Sequence, residues 1–162
     1  MIQKTKKFLG LNRPSVKAIG VAILAGLFVG YLPGELVRYL AEAYPNLRPE
    51  SIEDLNVILA SGNTELILVV ALLIAILCPL VEELFFRGAL WSLIGNLTKN
   101  THIIVIITSL LFALMHMEPL HIIGVIPIGV AYGYLRAYSN STIPCILAHM
   151  INNTLSIASA FT

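Results

Sequence analysis

Charge is what this chain has least of. Only 12% of its 162 residues are Asp, Glu, Lys or Arg, about half the share of an ordinary soluble domain. With a 57% hydrophobic content and a mean hydropathy of +0.86, that deficit makes a membrane protein the leading class. A formal net charge of +1 offers no basic footprint, so no nucleic-acid partner is expected. Cysteine is also scarce. Cys78 and Cys145 lie in apolar stretches outside any CxxC or other metal spacing. Both read as small buried apolar residues, with no disulfide framework. Aspartate is reduced to Asp54, in a polar stretch.

Apolar runs fill the space that charge leaves. Five helical segments can be read, at 16–41, 64–97, 101–117, 119–138 and 142–161. A bilayer span needs roughly 20 mostly apolar residues. The expected fold is therefore all-α: a polytopic transmembrane bundle of about five spans, forming one integral membrane domain over 1–162. The second segment would reach about 51 Å at 1.5 Å per residue, so it should tilt, kink near Pro79 or project from the bilayer. Residues 42–65 read as an acidic loop. Asn100 or Thr101 suits a helix cap, and Glu118-Pro119 ends the third segment. Gly124, Gly129 and Gly133 would let helices approach closely. The basic start followed by an apolar run has no clear A-x-A site, which favours an uncleaved first span. Lys4, Lys6, Lys7, Arg13 and Lys17 favour a cytoplasmic N-terminus.

Ionisable groups inside apolar helices carry a functional expectation by default. The stretch 78–90, CPLVEELFFRGAL, holds Glu82, Glu83 and Arg87. Glu83 and Arg87 are spaced i, i+4 and should form an ion pair. Glu82 lies about 100° around the helix from Glu83 and about 140° from Arg87. It is left without a local partner, as a general base would be. His116 ends FALMH, and His149 and Asn153 share a face in HMINN. Asn152 reads as a helix–helix hydrogen bond, and His102, His121 and Glu118 as interfacial or solvated groups. With the turn at Lys99 as a hairpin tip, Glu82 and His116 lie level, each about 25 Å from it. Asn153 falls within about 10 Å of that level, with His149 a turn lower.

A base, two imidazoles and an amide in an apolar bundle suggest hydrolysis. One aspartate cannot make an aspartyl dyad, H-E-x-x-H is absent, and no apolar segment contains G-x-S-x. A transporter would usually have more spans and internal repeats. EELFFR resembles the E-E-x-x-x-R motif of the CAAX-processing and bacteriocin-processing (CPBP or Abi) family of intramembrane proteases. FALMH resembles its F-x-x-x-H motif, and HMINN its H-x-x-x-N. The likeness covers residues 78–157, the expected catalytic core, and extends to the type II CAAX prenyl endopeptidases.

That resemblance implies Glu82 as general base and His116 as a residue that binds and activates water. It implies His149 and Asn153 as oxyanion donors, with Glu83 and Arg87 in support. It leaves two readings of the cofactor. A metal-free glutamate mechanism is preferred, and zinc on Glu82, His116 and His149 is the alternative. The implied partners are a peptide or lipidated protein substrate and membrane lipid. With fewer spans than many family members, the cavity could need a second copy to complete it. A bacterial cell membrane is the expected setting. A non-catalytic immunity or adaptor protein and a proton-coupled transporter subunit using Glu82 as relay are the rival functions.

Overall fold

The computed structural model describes residues 2–159, and all regular structure among them is helical. A short basic helix α1 (Ile2–Phe8) leads to α2 (Val16–Ala43), which is broken at Val29–Gly30 into halves 16–28 and 31–43. Then come α3 (Glu50–Ala60), α4 (Thr64–Leu97), α5 (Thr101–Leu114), α6 (Pro119–Ser139) and α7 (Ile143–Ser159). All five expected helical segments are present. By length and composition, α2, α4 and α6 can each cross a membrane. At 14 residues, α5 is shorter than an upright span requires. The protein is an integral membrane protein of all-α architecture.

Two boundaries and one burial differ from the sequence expectation. Residues 50–60 are helix, not loop. Two prolines and five acidic residues obscured that helix, yet Glu50 and Glu53 sit in its first turn, where the helix dipole favours negative charge. The third segment stops at Leu114 rather than 117. Met115 and His116 form a turn, and Met117 takes a positive φ of 56°, which lets the chain reverse into Pro119. Cys78 is exposed on the bundle surface while Cys145 is buried, so only Cys145 fits the expected packing role. The expected end of the fifth segment, 160–161, lies outside the described residues. The Asn100 cap is as expected: its side chain accepts from the His102 and Ile103 amides.

Helix α4 runs unbroken through Pro79 by widening its turns. Proline cannot donate an N–H and crowds the preceding turn. The helix relaxes into a π turn at Leu73–Leu77, where the Cys78 amide reaches back to Leu73. A second π turn covers Leu84–Leu90, and the Trp91 amide reaches Phe86. The short α-helical piece Cys78–Glu83, with both carboxylates, lies between them. Such π segments are common at functional sites.

Packing uses small residues. In α2, Ala18, Ala22 and Gly26 are buried at every fourth position, and Gly30 continues the row. This face lies on α7. A Cβ on Gly26 would stand 2.7 Å from the Ala148 carbonyl oxygen, and one on Gly30 would stand 1.8 Å from Asn152 Oδ1. On α6, Gly129 faces Ser109 and Phe112, and Gly133 faces Val105 of α5. Close backbone approach of this kind replaces the hydrophobic drive that helices lack in lipid. Gly26→Leu should therefore force α2 off α7. The expected cost is the roughly 1–3 kcal/mol of overpacking, read as a lower thermal midpoint in detergent. An unchanged midpoint would mean that α2 can retreat freely.

Two clusters make the core. Ala22, Tyr132, Leu135, Cys145 and Ala148 join α2, α6 and α7. Phe86, Phe112, Ala113 and Val125 join α4, α5 and α6. The site lies where they meet.

Candidate functional site

Glu83 and Arg87 are fully buried, and Arg87 Nη1 donates to Glu83 Oε1 at 2.8 Å. This is the expected i, i+4 pair. Two such charges are costly to desolvate unless their remaining hydrogen-bonding groups are met. Arg87 Nη2 donates to the Gly129 carbonyl at 2.9 Å. The guanidinium also lies 4.4 Å from the centre of the Phe112 ring, a favourable cation–π placement. Glu83 Oε2, Arg87 Nε and Ser109 Oγ are buried without a partner among the described residues.

His149 is buried one helix away. Its Nδ1 lies 3.0 Å from Glu83 Oε1, and its Nε2 lies 3.8 Å from Glu82 Oε2. The imidazole thus stands between the two carboxylates, bonded to Glu83 and facing Glu82. Tyr132 and Phe112 wall the ring at 5.5 and 5.7 Å between centroids, and Tyr132 Oη donates to the Ala148 carbonyl. The ring is held on three sides.

Glu82 keeps a third of its side chain exposed. It opens on a cavity of about 140 Å³ that it shares with Phe86, Phe112, Met115 and His116. The hairpin count that put Glu82 and His116 level therefore agrees with the structure. His116 Nδ1 lies 3.1 Å from the Phe112 carbonyl. An N–H there would donate to that oxygen and leave Nε2 as the free lone pair.

Asn153 is directed elsewhere. Its Nδ2 donates to the Ile74 carbonyl at 3.0 Å, inside the first π turn. Neither Asn153 nor His149 lines the Glu82 cavity. Among the described residues, no group of three His, Cys, Asp or Glu side chains is arranged to hold a metal ion.

The structure adds groups that sequence reading passed over. His121 was read as interfacial, yet its ring lies 4.5 Å from that of His116. The Glu118-Pro119 break was the usable signal, because a reversal there brings the start of α6 back beside His116. Glu118 was read as a solvated turn residue. It accepts from the Ser51 amide and hydroxyl at 3.0 and 2.7 Å and meets His121 Nδ1 at 3.2 Å. Partial burial pushes its pKa up, but the Ser51 and His121 bonds outweigh it and hold the carboxyl below the usual range. The start of α3 is thereby tied to the turn that carries His116. His102 bonds Tyr134 Oη at 2.8 Å, at the opposite end of α5 from His116.

A buried ion pair, an imidazole between two carboxylates and a one-third-exposed carboxylate sharing a cavity with a second imidazole form one site. Such a set can take a proton from water and pass it on. The family model for type II CAAX prenyl endopeptidase Rce1-like proteins matches residues 64–155, from the start of α4 into α7. No curated protein and no solved structure matches the chain.

Proposed function

The chain belongs to the type II CAAX prenyl endopeptidase Rce1-like family, a family of CAAX-type membrane proteases, and from that premise we propose that it is an intramembrane endopeptidase acting through a glutamate-activated water. The observation that carries this reading is the cavity shared by Glu82 and His116. Glu82 accepts a proton from water, the hydroxide attacks the scissile carbonyl carbon, and the proton then passes to the leaving amine as the C–N bond breaks. His116 Nε2 accepts a hydrogen bond from the O–H that remains on that water and so orients it. His149, held through Nδ1 by Glu83, donates from Nε2 to the oxyanion when it carries a proton there. Preorganised donors of this kind are worth a few kcal/mol of barrier. Asn153 is the second proposed donor, through the amide N–H that its bond to the Ile74 carbonyl leaves over. Glu83 and Arg87 position His149 and the α4 helix.

The proposed substrates are membrane-associated peptides, either prenylated CAAX-like or leader-type. A cavity of about 140 Å³ is smaller than the roughly 300–1,000 Å³ of ligand pockets. Substrate entry then requires helix movement or completion of the groove by a second copy. The proposed setting is a bacterial cell membrane with the N-terminus in the cytoplasm, which the basic N-terminal residues support. The proposed steps are written without a metal, and the zinc alternative on Glu82, His116 and His149 is decided by the chelator arm of the test below.

The test is cleavage of a quenched peptide library by the purified protein in lipid, with and without a strong zinc chelator. Cleavage that survives the chelator is expected. Cleavage that stops would return Glu82, His116 and His149 to the role of metal ligands. No cleavage of any membrane-associated peptide would favour a non-catalytic immunity or adaptor role.

A further inference from the structure

A second cavity, of about 430 Å³, lies at the other end of α4, walled by Lys4, Lys7, Phe8, Trp91 and Arg136. Arg136 is only 5% exposed. Its Nε donates to the Arg87 carbonyl at 2.9 Å, its Nη1 lies 3.5 Å from Asn140 Oδ1, and its guanidinium stands 5.4 Å from the Trp91 ring centre. No carboxylate lies within ion-pair distance of Arg136, Lys4 or Lys7 among the described residues. Buried charges are ordinarily paired, so this cluster has cations and a cavity but no counter-ion from its own fold. Outside the cavity lining, Lys99 Nζ donates to the Gly95 carbonyl at 2.6 Å.

The cluster is held in place. Ser92 Oγ donates to the Phe8 carbonyl, Thr142 Oγ1 to Leu9, the Thr142 amide to Gly10 and Ser141 Oγ to Asn12. These bonds pin the segment after α1. Lys4 and Lys7, spaced i, i+3, share a face of α1. Gly10 has a φ of +66°, and a Cβ there would stand 2.4 Å from Arg136 Nη2, so only glycine lets the chain pass this arginine.

We propose that this cavity binds the phosphate headgroup of an anionic phospholipid. The walls come from the C-terminal turns of α4 and α6, two helices long and apolar enough to cross a membrane, and a tryptophan there suits the membrane–water interface. Basic pockets between helices at a membrane face recognise anionic headgroups. A soluble phosphate would use the same cations but not the apolar flank. On the same turns of α4, Leu93 and Leu97 are 52% and 88% exposed and give acyl chains a track.

The experiment is native mass spectrometry of the full-length protein in neutral detergent, with phosphatidylglycerol and phosphatidylcholine as probes. Lys4→Gln/Lys7→Gln is the variant of choice, because neither lysine supports the Arg136 or Thr142 contacts. The protein should retain phosphatidylglycerol preferentially, and the double variant should lose about fivefold in affinity per lysine removed. Equal retention of the two lipids, or retention unchanged in the variant, overturns the site. Displacement of phosphatidylglycerol by inorganic phosphate overturns the lipid assignment in favour of a soluble phosphate. The readout is independent of peptidase activity.

Discussion

Glu82→Gln should lower peptide cleavage by at least about 100-fold, the lower end of what a positioned general base supplies, without moving the thermal midpoint. Glutamine keeps the shape of the side chain and removes the lone pair that takes the proton. The midpoint should hold because Glu82 is a third exposed and its nearest ionic contact, His149 Nε2, is at 3.8 Å, beyond a hydrogen bond. The buried pair below it is untouched. Cleavage at the wild-type rate by a folded Glu82→Gln protein would end the proposal that this carboxylate is the base.

Glu83→Gln should act the other way round, on stability first. It leaves the Arg87 cation buried with the Gly129 carbonyl and the Phe112 face as its remaining partners. Removing one member of a buried pair costs about 3–5 kcal/mol. The low end is expected here, because the glutamine oxygen can still accept one bond. A clear fall in thermal midpoint should result. The paired variant Glu83→Gln/Arg87→Met removes the stranded charge and should recover part of the loss. If the single variant melts as the wild type does, the ion pair is not what holds α4 in place. If the double variant is no better than the single, His149 rather than Arg87 is the partner that matters.

The parts of this site visible in the sequence were those governed by local counting. Glu83 and Arg87 are one helical turn apart, so their pairing needs only the helix repeat. Glu82 and His116 lie level because both distances are measured from the same turn near Lys99. His149 was harder. Its bond to Glu83 rather than Glu82 depends on how α4 is rotated about its axis, and two π turns shift that rotation from the α-helical count. The Asn153 contact was hidden for a related reason. Its partner is a main-chain carbonyl in the first π turn, and no residue type signals such an acceptor. The helix at 50–60 was hidden because Pro45 and Pro49 precede a stretch whose acidic residues read equally well as solvated loop. The Gly26/Gly30 contact with α7 is plain in retrospect, since small residues recur at every fourth position of α2.

The ties between residues 8–12 and residues 140–142 also constrain the order of assembly. Helices α5 and α6 are neighbours in the chain and can pair as soon as both are made. The bond from Ser141 to Asn12 joins residues 129 apart in sequence, and the bond from Thr142 to Leu9 joins residues 133 apart. Contacts of such long range form late, because the loop they close is expensive in entropy. The lysines of α1 are therefore translated long before the residues that lock them in place. Until Thr142 emerges, they are free to rest on the membrane surface. Final closure of the bundle, and with it the full set of walls around Arg136, is a late event in maturation.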